Sequence, residues 1–302
     1  MAVRGEEKRA LKEAAVTSAK RTVRWAALTA VRPTSGMRML PDYIIVGAQR
    51  AGTTSLHRHL LKHPNVAHTL LNLKGMHYFS TNFGRGFSWY RSHFPTNAAK
   101  ARFEGAHGSR MVVGEGSPYY IFHPLALERM SRALPDTKVI VMLRDPIARA
   151  YSHYQHMLFE GLERVATFEE ALELEPKRME GEVEKILTEP AYRSFHHQHH
   201  SYLTRGQYAE QIERLWSLYP KEQTLILRSE DFLKDAAVGL REVVEFLGLP
   251  AFEFPAELRE HNVGKYPKIN PETKARLAGH FREPNERLYA LLGRDMGWTR
   301  PE

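Results

Sequence analysis

One cation and three consecutive hydroxyls crowd a short stretch of this 302-residue chain, Val46-Gly-Ala-Gln-Arg-Ala-Gly-Thr-Thr-Ser-Leu56. Residues Tyr43 to Val46, which lead into the turn, are apolar and strand-forming, and Leu56, Leu60 and Leu61 recur at helical spacing after Thr53. The polar turn therefore opens a helix. Unpaired backbone N–H groups and the positive end of the helix dipole favour an anion there, and Gly47 and Gly52 let the backbone curl around it. These glycines have the spacing of a Walker A loop, yet Thr53 stands where that motif requires lysine, and the cation has moved to Arg50. A kinase or ATPase would lack its main contact with the terminal phosphates, so a different phosphate-bearing donor is expected. A tight turn with no ligand would require none of these polar groups.

Lys138-Val-Ile-Val-Met-Leu-Arg-Asp-Pro-Ile-Ala-Arg-Ala-Tyr-Ser-His-Tyr154 repeats the design. Val139 to Leu143 read as a buried parallel strand, and Pro146 suits the first turn of the next helix. Arg144 at the strand end and Ser152 two turns later can close on one phosphate, a task for which the forked guanidinium is better shaped than lysine. The competing reading makes Arg144 and Asp145 a structural ion pair and Ser152 a surface hydroxyl.

Taken together, the two segments resemble the sulfotransferases that use 3′-phosphoadenosine 5′-phosphosulfate (PAPS), in the branch of the heparan sulfate enzymes and their bacterial relatives. Gly114-Glu-Gly-Ser-Pro-Tyr-Tyr120, Ser201-Tyr-Leu-Thr-Arg-Gly-Gln-Tyr208, Gly264-Lys-Tyr-Pro267 and Glu283-Pro-Asn-Glu-Arg-Leu288 follow the family's order, so the likeness runs over roughly residues 41 to 300. The resemblance implies a donor site made by Gln49, Arg50, Ala51, Gly52, Thr53, Thr54 and Ser55 at the 5′-phosphosulfate, by Arg144 and Ser152 at the 3′-phosphate, and by Lys265 and Tyr266. It further implies a three-layer, P-loop-like α/β fold with a central parallel sheet flanked by helices. The expected reaction moves the sulfuryl group to a hydroxyl or amine of a carbohydrate or glycolipid-like acceptor and releases 3′-phosphoadenosine 5′-phosphate (PAP).

The departures from the family pattern bear on the chemistry. Family members usually carry lysine where Arg50 stands, which keeps the charge but changes the donor. The heparan branch places a catalytic glutamate in a pattern like E-x-[HQ]-F-F, and Lys74-Gly-Met-His-Tyr-Phe79 puts Gly75 at that position. His77 is then the leading candidate for general base, because an imidazole titrates near neutrality. Packing of that histidine beside Tyr78 and Phe79 is the alternative. Glu115 is the second candidate, near a strand end where parallel-sheet enzymes build sites. Gly116 replaces the lysine of the family's E-K-[ST]-P pattern, so acceptor recognition is expected to differ from the heparan enzymes.

Sulfuryl transfer, like phosphoryl transfer, asks mainly for alignment and charge stabilisation. Arg50 and the loop N–H groups are the expected catalytic donors to the departing phosphate, and fixed cations of this kind need no metal in principle. Two other classes stay open: a P-loop kinase using ATP and magnesium, and a non-catalytic PAP-binding or membrane-surface protein, which the missing glutamate would suit.

The elements that must position these residues follow from hydrophobic pattern. Strand candidates at 43 to 47, 111 to 115, 138 to 143 and 224 to 228 alternate with helical patterns, the signature of a parallel sheet covered on both faces. Helices near 207 to 219 and 236 to 247 carry apolar stripes of Tyr208, Ile212, Leu215, Trp216 and Tyr219, then Val243, Val244, Phe246 and Leu247, which read as core. At 42% apolar content the chain can bury one large core.

Residues 1 to 40, with nine Lys and Arg against three Glu, form a basic helical extension to a domain spanning 41 to 302. Its longest apolar run, Trp25 to Val31, is too short to cross a bilayer, and it lacks a signal peptide's pattern. The expectation is a cytoplasmic protein whose extension packs on itself or rests on anionic lipid. The acidic stretch from Glu160 to Glu184, nine Glu in all, reads as a solvated face with a capping box at Thr167 and Glu170. His196-His-Gln-His-His200 has no accompanying carboxylate or cysteine and is assigned to the rim of the acceptor cleft, with no metal. A net charge of +8 suits a multiply anionic donor; no nucleic-acid motif accompanies it, so DNA and RNA are not expected partners. With no cysteine there is no disulfide, which permits a reducing compartment.

Overall fold

A computed structural model describes residues 26–189, 191–255 and 266–298. Five strands, β1 Tyr43–Gly47, β2 Val66–Ala67, β3 Val112–Gly116, β4 Lys138–Leu143 and β5 Thr224–Arg228, form one sheet in the order β2-β3-β1-β4-β5. Every neighbouring pair is parallel. All residues of β1 and β3 are buried, as is β4 beyond Lys138, which is why these segments read as continuous apolar runs. The strand expectations hold within a residue. The two-residue β2 went unread because it is too short to carry a period.

The helices are α1 Thr53–Leu60, α2 Phe87–Arg91, α3 Asn97–His107, α4 Ala126–Ala133, α5 Pro146–Phe159, α6 Phe168–Met179, α7 Glu182–Thr188, α8 Phe195–His199, α9 Tyr208–Trp216, α10 Ser229–Lys234, α11 Ala236–Leu247 and α12 Pro271–Leu292. They flank the sheet, giving the expected α/β architecture. Helix α1 packs on α11, and α12 lies against α9 and α5. Tyr208, Ile212, Leu215, Val243, Val244 and Leu247 are buried as their spacing requires, in the same core as the strands. Burying each such aliphatic side chain contributes about 1.5–3 kcal/mol.

A second, smaller core holds α5, α6 and α12 together through Ile147, Tyr154, Phe168, Leu172, Leu277 and Phe281. It changes the reading of the acidic stretch. Glu163, Glu175 and Glu182 are buried, not a solvated face. Glu175 accepts the N–H groups of Leu203 (2.7 Å) and Thr204 (3.0 Å) and the Thr204 hydroxyl. Glu163 takes both ends of the Arg178 guanidinium and the Tyr202 hydroxyl, and although burial alone would raise its pKa, these donors hold it down to about 2. Buried carboxylates persist because they are paired and hydrogen-bonded, a property of the folded neighbourhood that charge counting cannot reveal. Thr167 does cap α6, accepting the Glu170 N–H at 3.2 Å.

The extension falls mostly on residues outside those described. Its described end is tied to the domain: Arg38 donates to the Phe94 carbonyl at 2.8 Å, and the Met39 N–H donates to that of Pro95. No described helix is long and apolar enough to cross a membrane.

Candidate active site

The site lies at the carboxyl ends of β1, β3 and β4, where a parallel sheet directs its loops. Between β1 and α1 the chain turns through two left-handed residues, Arg50 at φ 71° and Gly52 at φ 86°. Glycine accepts that conformation freely; arginine does not, at about 1–2 kcal/mol. Strain of this kind persists where the surroundings over-determine it, and here they do. The Arg50 Nε donates to Ser152 Oγ at 3.1 Å, while its carbonyl receives Arg144 Nη1 at 3.0 Å. Cradle and second strand end are one site.

Helix α5 is set by its own first turn. Pro146 occupies the helix start and Asp145 caps it, accepting the N–H groups of Ile147 (2.7 Å) and Ala148 (3.3 Å). Asp145 is thus a cap first, which leaves the Arg144 guanidinium to turn toward the loop. Ser152, buried on the second turn, faces the same space. Burial lowers the pKa of Arg50; Tyr266 acts the other way and the neighbouring Arg144 charge lowers it further. Two guanidinium groups held this close repel, and an anion between them would relieve that repulsion.

Thr53 and Thr54 open α1 and both receive Lys74 Nζ, at 3.0 and 2.8 Å. Nothing in the sequence singles out Lys74, because an isolated lysine in a loop carries no sign of where its ammonium ends. Ala51 and Ser55 are buried. Gln49 points its amide oxygen at the Arg205 guanidinium, so its side chain is engaged within the protein. Arg205 is fully buried, donates to the carbonyls of His197 (2.8 Å) and Gln198 (2.9 Å), and lies over the Tyr119 and Phe122 rings. Its position inside Ser201 to Tyr208 does not reveal this, since loop sequences give no burial signal. Tyr266 stacks edge-on to Tyr151 within range of the Arg50 charge; Lys265 lies outside the described residues.

The two candidate bases separate by geometry. Glu115 is fully buried with four donors on its carboxylate: Oε1 accepts the hydroxyls of Tyr90 (2.9 Å) and Tyr120 (3.1 Å), and Oε2 accepts the Met76 N–H (2.8 Å) and the Ser117 hydroxyl (2.7 Å). Burial raises its pKa, yet the four donors suit the ionised form and leave no lone pair for an acceptor's proton. Glu115 therefore holds the 76–77 segment against β3.

His77 is the group so held. Its backbone is left-handed at φ 49°, and its N–H donates to Ser117 Oγ at 3.0 Å. Its Nδ1 is buried without a hydrogen-bond partner among the described residues. Burial, then the Lys74 charge, lowers its pKa to about 4, so the ring is neutral at pH 7 and able to accept a proton. A polyanionic donor bound beside it would raise that value and make it a stronger base.

Gly75 cannot carry the glutamate of the resembled pattern. A Cβ there would lie 2.3 Å from the Gly116 carbonyl oxygen and 2.8 Å from Ser117 Oγ. Gly75→Ala should therefore destabilise the fold by about 1–3 kcal/mol through overpacking, visible as a lowered denaturation midpoint, and Gly75→Glu should not gain activity.

The histidine cluster is partly buried. His197 is buried, 2.7 Å from the Tyr119 hydroxyl and stacked on Phe122. His200 bonds to the Leu162 carbonyl and to His196. These rings fasten α8 to its neighbours, and among the described residues no group of three or more His, Cys, Asp or Glu could hold a metal ion.

A strand–loop–helix cradle with converging cations, at the carboxyl edge of a parallel sheet, defines an anion-gripping group-transfer site. The chain belongs to the sulfotransferase domain family, whose profile matches residues 40–278. It is 29% identical to human heparan sulfate glucosamine 3-O-sulfotransferase 3B1 over 87% of this chain and 66% of that one. It is also 26% identical to the membrane-associated sulfotransferase kil1 of Dictyostelium discoideum, over 86% of this chain and 66% of the relative. A crystal structure of a sulfotransferase from Alicyclobacillus acidocaldarius superposes with TM-score 0.65 at 29% identity, covering 87% of this chain and all of that one. The chain thus spans just under two thirds of the length of these two curated relatives.

Proposed function

We propose that residues 41–302 form a PAPS-dependent sulfotransferase that transfers the sulfuryl group in line to a hydroxyl, or an amine, of a carbohydrate or glycolipid-like acceptor. The observation that carries this reading is the double link at Arg50, whose side chain meets Ser152 and whose carbonyl meets Arg144. One small bisphosphate would bridge the two places. Arg50, the α1 N-terminus, Thr53 and Thr54 would take the 5′-phosphosulfate, and Arg144 with Ser152 the 3′-phosphate, with Tyr266 beside Arg50. The acceptor oxygen bonds to sulfur as the bond from sulfur to the bridging oxygen breaks, PAP leaves with the electron pair, and the acceptor proton passes to His77. Fixed donors aimed at the departing phosphate supply the stabilisation. Likeness to the human enzyme, named for the glucosamine of heparan sulfate, supports a carbohydrate acceptor. Nine Lys and Arg among residues 1–40 support contact with an anionic membrane surface, for a protein working on the cytoplasmic side.

Thermal denaturation with PAP, ATP, and ATP with magnesium tests this directly. A ligand at a hundred times its dissociation constant stabilises the fold by about 2.7 kcal/mol. PAP should raise the midpoint by roughly 5–10 °C and ATP by much less. Preferential stabilisation by ATP with magnesium would instead favour a kinase, and PAP binding without sulfate transfer to any acceptor a non-catalytic binder.

A further inference from the structure

The two glycines that depart from the resembled pattern meet in space. The Gly116 N–H donates to the Lys74 carbonyl at 2.6 Å, and the Gly116 carbonyl lies where a Gly75 side chain would begin. The end of β3 and the 74–75 segment are therefore joined backbone to backbone. Over Gly116 the vacated volume is filled by the Lys74 stem: a Cβ on Gly116 would meet Lys74 Cε at 3.0 Å and Cγ at 3.5 Å. From that channel the ammonium reaches Thr53 and Thr54 at the first turn of α1. An ammonium has three donors and no acceptor; two are used on these hydroxyl oxygens, which obliges the threonine protons to point away from Lys74.

We propose that Lys74 is a catalytic cation of this site, donating to the non-bridging oxygens of the sulfuryl group and replacing, from the adjacent segment, the cation lost at Gly116. This rests on the sulfotransferase reading above. In the transfer step Lys74 keeps all its protons; it matches the charge on the sulfuryl oxygens while the bridging bond breaks toward the 5′-phosphate and the acceptor proton goes to His77. Removed from bulk water, such a donor acts more strongly than at the surface. Its protonation also makes the site sensitive to alkali. Burial, then the like charges of Arg58 and Arg50, brings Lys74 down to about 8. His57 and His77, which also sense it, lie at about 3 and 4 and are neutral in that range. The cation is intact below about pH 8 and is lost as pH rises through that value.

Calorimetric titration of the full chain with PAPS and with PAP, from pH 6.5 to 9.5, tests the assignment. Lys74→Met should weaken PAPS about tenfold or more while changing PAP by less than about twofold, because only PAPS carries the sulfuryl oxygens. Wild-type affinity for PAPS should fall above about pH 8. Lys74→Arg, which keeps a cation that does not titrate in this range, should retain PAPS binding within a few-fold and lose the alkaline decline. Equal weakening of PAP and PAPS by Lys74→Met, no weakening of either, or PAPS affinity that rises through pH 8 would overturn the role of Lys74 alone. A wild-type protein that binds neither ligand would overturn the sulfotransferase reading, and this proposal with it.

Discussion

Arg50→Ala should lower turnover about a hundredfold or more, since removing one preorganised donor to a developing anion costs on the order of 3 kcal/mol in the transition state. The structure sharpens that expectation by showing that Arg50 is a fixed part of the loop, held at Ser152 by its side chain and at Arg144 by its carbonyl. Its left-handed backbone gives a second signature. Alanine at this position keeps the unfavourable φ of 71°, whereas Arg50→Gly removes it. The two variants should lose turnover alike, yet Arg50→Gly should be the more stable of the pair by about 1 kcal/mol, read from their denaturation midpoints. Arg50→Lys retains the charge and should keep most of the activity. If Arg50→Ala turned over PAPS like the wild type, the phosphosulfate cradle would lie elsewhere.

Glu115→Ala should destabilise the protein by about 3–5 kcal/mol, lowering the denaturation midpoint on the order of 10 °C. Four donors lose their acceptor at once: two phenols, a serine hydroxyl and the Met76 N–H, all packed where water does not reach. Glu115→Gln should cost less. Hydroxyls can rotate to accept from the new amide, although the Met76 N–H cannot. The same pair of variants separates positioning from catalysis. A group that acts by holding His77 leaves the acid limb of kcat/KM in place in Glu115→Gln, since His77 still titrates; a group that is itself the base takes the limb with it. Loss of that limb in a well-folded Glu115→Gln protein would return Glu115 to the role of base.

Much of the candidate site is readable from the sequence because its parts are local. A strand feeding a glycine turn and then a helix is written in consecutive residues, and the physics of a helix start favours an anion at such a turn. The same holds for Arg144, Asp145 and Pro146, whose order encodes a strand end, a cap and a first turn. The illegible parts are those in which a side chain's partner is remote in sequence. Lys74 and Thr54 are twenty residues apart, Arg205 and Gln49 more than a hundred and fifty. Charge patterning misled at Glu163, Glu175 and Glu182, because a run of carboxylates looks solvated until folding supplies an arginine, a tyrosine or a backbone N–H for each.

From the order of residues alone came the parallel sheet, the two candidate anion-binding turns and the absence of a side chain at positions 75 and 116, since these depend on periodicity and on residue type. Folding decided which carboxylate is structural, which imidazole is left neutral beside a lysine, and where that lysine's charge is delivered. The reason is physical: hydrogen-bond satisfaction and desolvation are set by neighbours in space, and a linear sequence does not state who those neighbours are.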